Sequence, residues 1–241
     1  MTSMQSAIRI SLCLVSFLAA TAITPAKAQD VRYSFLDMSY MAQDVDRTGS
    51  QTPIPGQTVD YNATDGHGIR FRGSIGTWHN MYLFIDYGST DIDLDAFVVS
   101  PLIPQGQTVS DEFDLTTIRG GVGLKYSIGT ATDVYGEVTY DSSDFDFGSF
   151  ALENFDLGEK DIGGALGVRR MMNDNIEVRG WARYTNVGDI NLDALVFDPD
   201  VLFGAGFGWQ LVRGLSIVGD YESGEFASWS IGFRLDLDET R

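Results

Sequence analysis

Strict alternation of apolar and polar residues runs through the chain after its first 28 residues. The stretch "SWSIGFRLDL", Ser228 to Leu237, is the cleanest case. Trp229, Ile231, Phe233, Leu235 and Leu237 share one register; Ser228, Ser230, Gly232, Arg234 and Asp236 share the other. A period of two marks a strand with one apolar and one polar face. The same pattern predicts ten strands, at about 31–41, 67–76, 81–89, 115–128, 133–142, 160–171, 176–186, 200–211, 215–222 and 226–237. No stretch carries a helical period.

A soluble sandwich would turn the apolar faces inward, and a membrane barrel would turn them towards lipid. Two patterns decide between them. The gaps alternate in length: 77–80, 129–132, 172–175 and 212–214 are short, whereas 42–66, 90–114, 143–159 and 187–199 are long, with 223–225 a tight exception. Transmembrane barrels have an even number of antiparallel strands, short turns at one rim and long loops at the other. The second pattern is aromatic. All five odd-numbered strands end their apolar face on tyrosine: Tyr40, Tyr87, Tyr140, Tyr184 and Tyr221. In a barrel these ends share one level, as a membrane-interface girdle does. Tyr126, Trp209 and Trp78 are candidates for a girdle at the opposite rim.

The other faces hold charge. The register places Arg70, Arg72, Arg119, Lys125, Arg169, Arg179, Arg183 and Arg234 inside, with Asp37, Asp86, Glu137, Asp141, Glu177, Asp220, Glu222 and Asp236. Sixteen charges cannot line a dry soluble core. In a narrow barrel they can pair with one another. Interleaved glycines such as Gly123, Gly167, Gly204 and Gly206 leave room for them. The expected fold is all-β, a single antiparallel transmembrane β-barrel of ten strands, with eight as the alternative count.

Residues 1–28 read as a cleaved signal peptide: Arg9, then "ISLCLVSFLAATAI", then Ala26-Lys27-Ala28 before Gln29. The barrel would then occupy 29–241. Arg9 and Lys27 leave with the signal, so 14 basic residues face 34 acidic ones, a formal net charge of −20. That argues against nucleic acid as a partner. Cys13, the one cysteine, leaves as well, so the exported chain forms no disulfide.

The signal ending "AKA", the apolar-x-apolar-x-Tyr strand ends and the final "WSIGFRLDL" together resemble the small outer-membrane β-barrels of Gram-negative bacteria, the opacity-protein and OmpA-type superfamily. The resemblance implies an outer-membrane location, contact with outer-membrane lipid and lipopolysaccharide, and a last strand read by the barrel-assembly machinery. "DETR" at 238–241 departs from the terminal aromatic usual in that family.

Candidate chemistry is sparse. Ten strands also resemble the omptin-type proteases, but His67 and His79 are the only histidines and both lie early. No serine, histidine and acid converge at a catalytic spacing. Asp91, Asp93 and Asp95, and Asp141, Asp144 and Asp146, invite calcium, yet they lack the glycine and distal glutamate of an EF-hand loop. The expectation is a non-enzymatic barrel without cofactor or metal, with a charge-paired, mostly plugged lumen, four acidic extracellular loops and a structural role in the envelope. A narrow porin for small solutes or ions is the alternative, and the oligomeric state is open.

Overall fold

The computed structural model describes residues 31–52, 55–77, 80–146, 159–185, 191–192, 195–196, 200–224 and 227–237. Its strands are β1 (Phe35–Gln51), β2 (Thr58–Gly76), β3 (Met81–Ser100), β4 (Ile103–Ile128), β5 (Thr132–Asp146), β6 (Glu159–Met171), β7 (Ile176–Thr185), β8 (Asn191–Leu192), β9 (Leu195–Val196), β10 (Asp200–Val212), β11 (Leu215–Ser223) and β12 (Ala227–Asp236). Ten of these close into one ring in the order β1-β12-β11-β10-β7-β6-β5-β4-β3-β2, while β8 and β9 form a separate two-residue hairpin. Every neighbouring pair is antiparallel, including β1 with β12, which closes the ring.

One end of the ring, here the base, carries the short connections β4–β5, β6–β7 and β10–β11. Gly129 (φ 74°) and Gly214 (φ 81°) supply the left-handed residues that two of these turns require. The opposite end is the crown.

The outer wall near the base is apolar. On β12, Trp229, Ile231, Phe233 and Leu235 all face out. So the apolar face of "SWSIGFRLDL" looks away from the barrel. On β4 the exposed apolar positions run from Ile128 through Tyr126, Leu124 and Val122 to Ile118. At about 3.3 Å per residue and a tilt of about 40°, that stretch stands about 25 Å tall, the height of the apolar band of a transmembrane barrel.

Above this band the polarity of the wall inverts. On β3, Met81, Leu83 and Ile85 face out while Tyr82, Phe84 and Asp86 are buried inside. Further along the same strand, Asp93 and Asp95 face out while Ile92 (2 % exposed), Leu94 (4 %) and Ala96 (0 %) are buried. The inward residues of the crown form an apolar cluster of Val45, Ala63, Ile92, Leu94 and Phe113. Its outer face is acidic: Asp91 lies directly across from Asp114, and Asp93 from Glu112. Like charges in direct cross-strand pairs repel, an arrangement suited to water and not to lipid.

Two sequence expectations change here. The gaps 42–66 and 90–114 are not loops. β1 and β2 continue to Gln51 and from Thr58, and β3 and β4 are joined across residues 101–102 alone. Bulges hide the strands within 42–66. The β2–β3 register slips between Ala63 and Gly66, so the inward set changes from Ser74, Arg72 and Arg70 to Ala63, Tyr61 and Val59. A bulge breaks the period of two without ending the strand. The second correction is at the start. Strand 31–41 begins only at Phe35, and Val31 to Ser34 precede it as a non-strand segment. The signal peptide, Trp78, His79 and residues 238–241 lie outside the described residues.

Candidate functional site

The lumen is the candidate site, and arginine–carboxylate pairs line it. β2, β3 and β4 build the first group around Asp86. Arg70 makes a two-pronged contact with it, its Nε donating at 2.8 Å. Arg119 Nη2 donates to the same carboxylate at 3.2 Å, and Arg72 Nε stands 3.7 Å away. Three guanidinium groups therefore surround one aspartate.

The second group centres on Glu177 of β7. Arg169 of β6 holds it with two hydrogen bonds of 2.9 Å. Arg179 and Arg234 approach it at 3.9 and 3.8 Å. Each of those two has its own bidentate carboxylate: Arg179 binds Asp220 at 2.7 and 2.9 Å, and Arg234 binds Asp37 at 2.7 and 2.8 Å. Parallel fork contacts of this kind are the strong, geometry-fixing ion pairs. Arg183 pairs with Glu222, which also accepts from Trp181 Nε1 at 2.7 Å.

Glycines on β10 make this network possible. Arg179 and Trp181 stand on β7, and their acids Asp220 and Glu222 stand on β11, with β10 between them. A Cβ at Gly206 would lie 2.0 Å from Asp220 Oδ1, and one at Gly204 would lie 2.0 Å from the Trp181 ring. The "GAGFG" of β10 is thus the floor over which β7 reaches β11.

Below the network sits an aromatic layer: Tyr33, Tyr82, Phe84 and Tyr135 in one buried cluster with Val31 and Met171. Val31 and Tyr33 come from the segment before β1, which turns into the base of the lumen. Tyr33 is 4 % exposed and packs 4.7 Å from Tyr82, centroid to centroid. Lys125 Nζ stands 4.4 Å from the Tyr33 ring centre, and Arg169 Cζ stands 4.5 Å from it. Cations over a desolvated aromatic face are attracted by its quadrupole. Arg234 Cζ lies 4.0 Å from the Phe35 ring. The segment is tied at its edges by Ser34, whose Oγ accepts from Gly76 N at 3.0 Å and whose carbonyl accepts from Leu237 N at 2.9 Å. Arg32 bridges to Asp236 at 3.2 Å. The cavities between these groups include two of about 30 Å³ each. Each has room for about one or two water molecules.

A sequence profile of the outer membrane protein β-barrel domain matches residues 10–210, most of the chain. The chain belongs to that family. The outer membrane barrel also resembles solved structures at low identity. These include the outer membrane protein OprG from Pseudomonas aeruginosa (11 % identity, 88 % of this chain and 99 % of that one, TM-score 0.45). Another is the β domain of the Bordetella autotransporter BrkA (12 %, 86 % and 100 %, TM-score 0.48). A third is Omp33 of Acinetobacter baumannii (13 %, 87 % and 100 %, TM-score 0.35). No curated protein matches the sequence.

The sixteen charges expected in the outer membrane barrel's lumen are distributed unevenly. Asp86, Arg70, Arg72 and Arg119 make the first group, Glu177, Arg169, Arg179, Arg234, Asp37 and Asp220 the second, and Arg183 with Glu222 a separate pair. The other four have different partners. Glu137 accepts from Tyr82 OH at 2.8 Å, and Asp141 accepts from Thr185 Oγ1 at 3.0 Å. Asp236 pairs with Arg32, and Lys125 sits over Tyr33. Sequence reasoning missed the aromatic layer because Tyr82, Phe84 and Tyr135 alternate with outward apolar residues and so read as unbroken greasy strand. The inward glycines were the available signal: a Cβ at Gly123 would lie 2.0 Å from Tyr82, and one at Gly167 would lie 2.4 Å from Tyr135.

On the outer wall, Tyr40, Tyr140, Tyr184 and Tyr221 are exposed and Tyr87 is half-buried. Tyr40 packs against Trp229, ring centres 5.8 Å apart. Near the base, Tyr126 and Trp209 are exposed. His67 stands on β2 directly across from Asp91 of β3.

Proposed function

We propose that this protein is a closed, non-enzymatic outer-membrane barrel with a structural role in the envelope, its base towards the periplasm and its acidic crown outside the cell. The observation that carries the closed reading is Tyr33. It lies buried at the base of the lumen, under two cations, beneath a network that leaves cavities of about 30 Å³ where it meets the aromatic layer. A barrel of about eight strands is just filled by side chains, and arginine–carboxylate pairs with aromatic rings fill ten here. The export route follows from the sequence reading: residues 1–28 act as a cleaved signal, and the "WSIGFRLDL" strand serves the assembly machinery. Outer-membrane lipid contacts the apolar band, and lipopolysaccharide surrounds the crown.

Single-channel recording of the refolded mature protein in a planar bilayer tests the closed reading. Stable insertion without steady openings is the expected result. Steady ion-selective openings would make the protein a narrow porin for small solutes or ions.

The tyrosine girdle has its own test. Nitroxide labels at positions 40, 140 and 184 should all report headgroup depth in reconstituted vesicles. Labels at these sites that report bulk water or the bilayer centre would remove the girdle.

A further inference from the structure

Where the wall rises above the apolar band, its outer face carries an open groove of about 590 Å³. Small-molecule sites commonly measure about 300–1,000 Å³. Its lining follows from the strand register. Ser50, Asp60, Phe97 and Thr108 stand in line across β1, β2, β3 and β4, and Asn62 and Asp95 lie side by side one pair further down. Of these outward side chains, all except Phe97 carry hydroxyl, carboxylate or amide groups; Thr48, Gly49 and Tyr61 complete the lining. Asp95 already accepts a hydrogen bond from Ser110 Oγ.

Phe97 is the exception that gives the groove a direction. It lies on the acidic outer face of the crown with 40 % of its surface exposed. Burying a large apolar ring is favourable, and the inner face of the same strand holds a complete apolar cluster, so core packing does not account for this ring. It is also held in place. Gly106 adopts φ +74°, and a Cβ there would lie 2.2 Å from Phe97 Cζ. The missing side chain at 106 makes the space that the far end of the ring occupies.

A fixed, half-exposed aromatic ring beside carboxylate, amide and hydroxyl groups matches one ligand chemistry closely. A pyranose presents a patch of C–H bonds that packs on a ring. Around that patch it presents hydroxyls that both donate and accept. The Asp60 and Asp95 carboxylates only accept, so they take sugar hydroxyl protons; Asn62, Ser50 and Thr108 can do either. Anionic sugars and phosphates are disfavoured by these two carboxylates and by the net charge of the mature chain. The groove lies beyond the apolar band, which excludes a lipid chain. We infer that the groove binds neutral hexopyranose units of a glycan chain, with Phe97 as the stacking platform. The glycan can come from the polysaccharide that surrounds the protein or from outside the cell. Binding at this face does not depend on whether the lumen conducts.

The test uses the refolded barrel in a zwitterionic detergent without a sugar headgroup. Saturation-transfer NMR is recorded with two probes: maltohexaose, and the polysaccharide released from lipopolysaccharide by mild acid. Transfer to at least one probe is expected, with a dissociation constant of about 1 mM. The Phe97→Ala variant should bind about tenfold more weakly, and Phe97→Tyr should retain binding. Heat-modifiable migration on a gel verifies that both variants fold. Transfer to the released polysaccharide alone identifies the envelope as the source, and transfer to maltohexaose identifies an external glycan. No transfer to either probe overturns the inference, as does transfer that Phe97→Ala leaves unchanged. Preferential binding of hexalysine over both glycans would also overturn it, because the site would then be a cation trap.

Discussion

Replacing Glu177 with alanine should lower the thermal unfolding midpoint of the refolded barrel by roughly 10 °C. Removing one partner of a buried ion pair costs about 3–5 kcal/mol, because the other charge is left uncompensated. For a protein of this size each kcal/mol corresponds to about 2–4 °C. Glu177 is the site to choose because three guanidinium groups depend on it unequally. Arg179 keeps Asp220 and Arg234 keeps Asp37, whereas the bidentate partner of Arg169 is Glu177 itself. The uncompensated charge is therefore that of Arg169. It follows that the double variant R169M/E177L should recover most of the loss, since replacing a whole buried pair with apolar residues is often close to neutral. Circular dichroism melts of wild type, R169M, E177L and R169M/E177L measure this as a cycle, with Glu177→Ala beside them. An alanine variant that melts with wild type would mean that water screens the network, and that the lumen is wetter than its geometry implies.

A mature chain that begins at Phe35 should conduct where the full mature chain does not. The deletion removes Val31 and Tyr33, which pack into the base of the lumen, and it uncovers Lys125 and Arg169. The opening is then rimmed by positive charge, so the current should favour anions. Tyr33→Ala is the milder form of the same change. Truncating a buried aromatic typically costs about 3–5 kcal/mol, so this variant should also be less stable. Bilayer recordings of the two variants beside wild type decide the matter. A silent deletion variant would show that the two ion-pair groups seal the barrel without the N-terminal segment.

Much of this fold was legible in the sequence, and the failures have physical causes. The ring of ten strands follows from the alternation, because a wall between lipid and a charged lumen enforces a strict period of two. Ile92, Leu94 and Ala96 alternate as strictly with Asp91, Asp93 and Asp95, yet that stretch reads as an acidic loop. The cause is the inversion of polarity above the apolar band: the pattern persists while its meaning reverses. On β2, the bulge between Ala63 and Gly66 moves the inward set by one residue, which hides the continuation of the strand. The pairing of charges was visible only as a list of inward positions. That Asp86 gathers three arginines depends on how far neighbouring strands are staggered, and one sequence does not contain the stagger. Tyr33 could not be placed from its own segment, because Val31 and Tyr33 alternate with Arg32 and Ser34 as a strand would.

The seam between β1 and β12 bears on the order in which the chain folds. Asp37 and Arg234 are directly paired in its register, and their side chains join across 197 residues of sequence. Every other seam joins strands much nearer in the chain, and such hairpins can form locally. Closing a loop of this length carries a large entropic cost before any contact rewards it. Closure therefore cannot start before the final strand has been made. The same seam completes the lumen's second ion-pair group, since Asp37 of β1 meets Arg234 of β12 across it. Formation of the Arg234–Asp37 pair thus marks the moment at which an open, sticky sheet becomes a finished barrel.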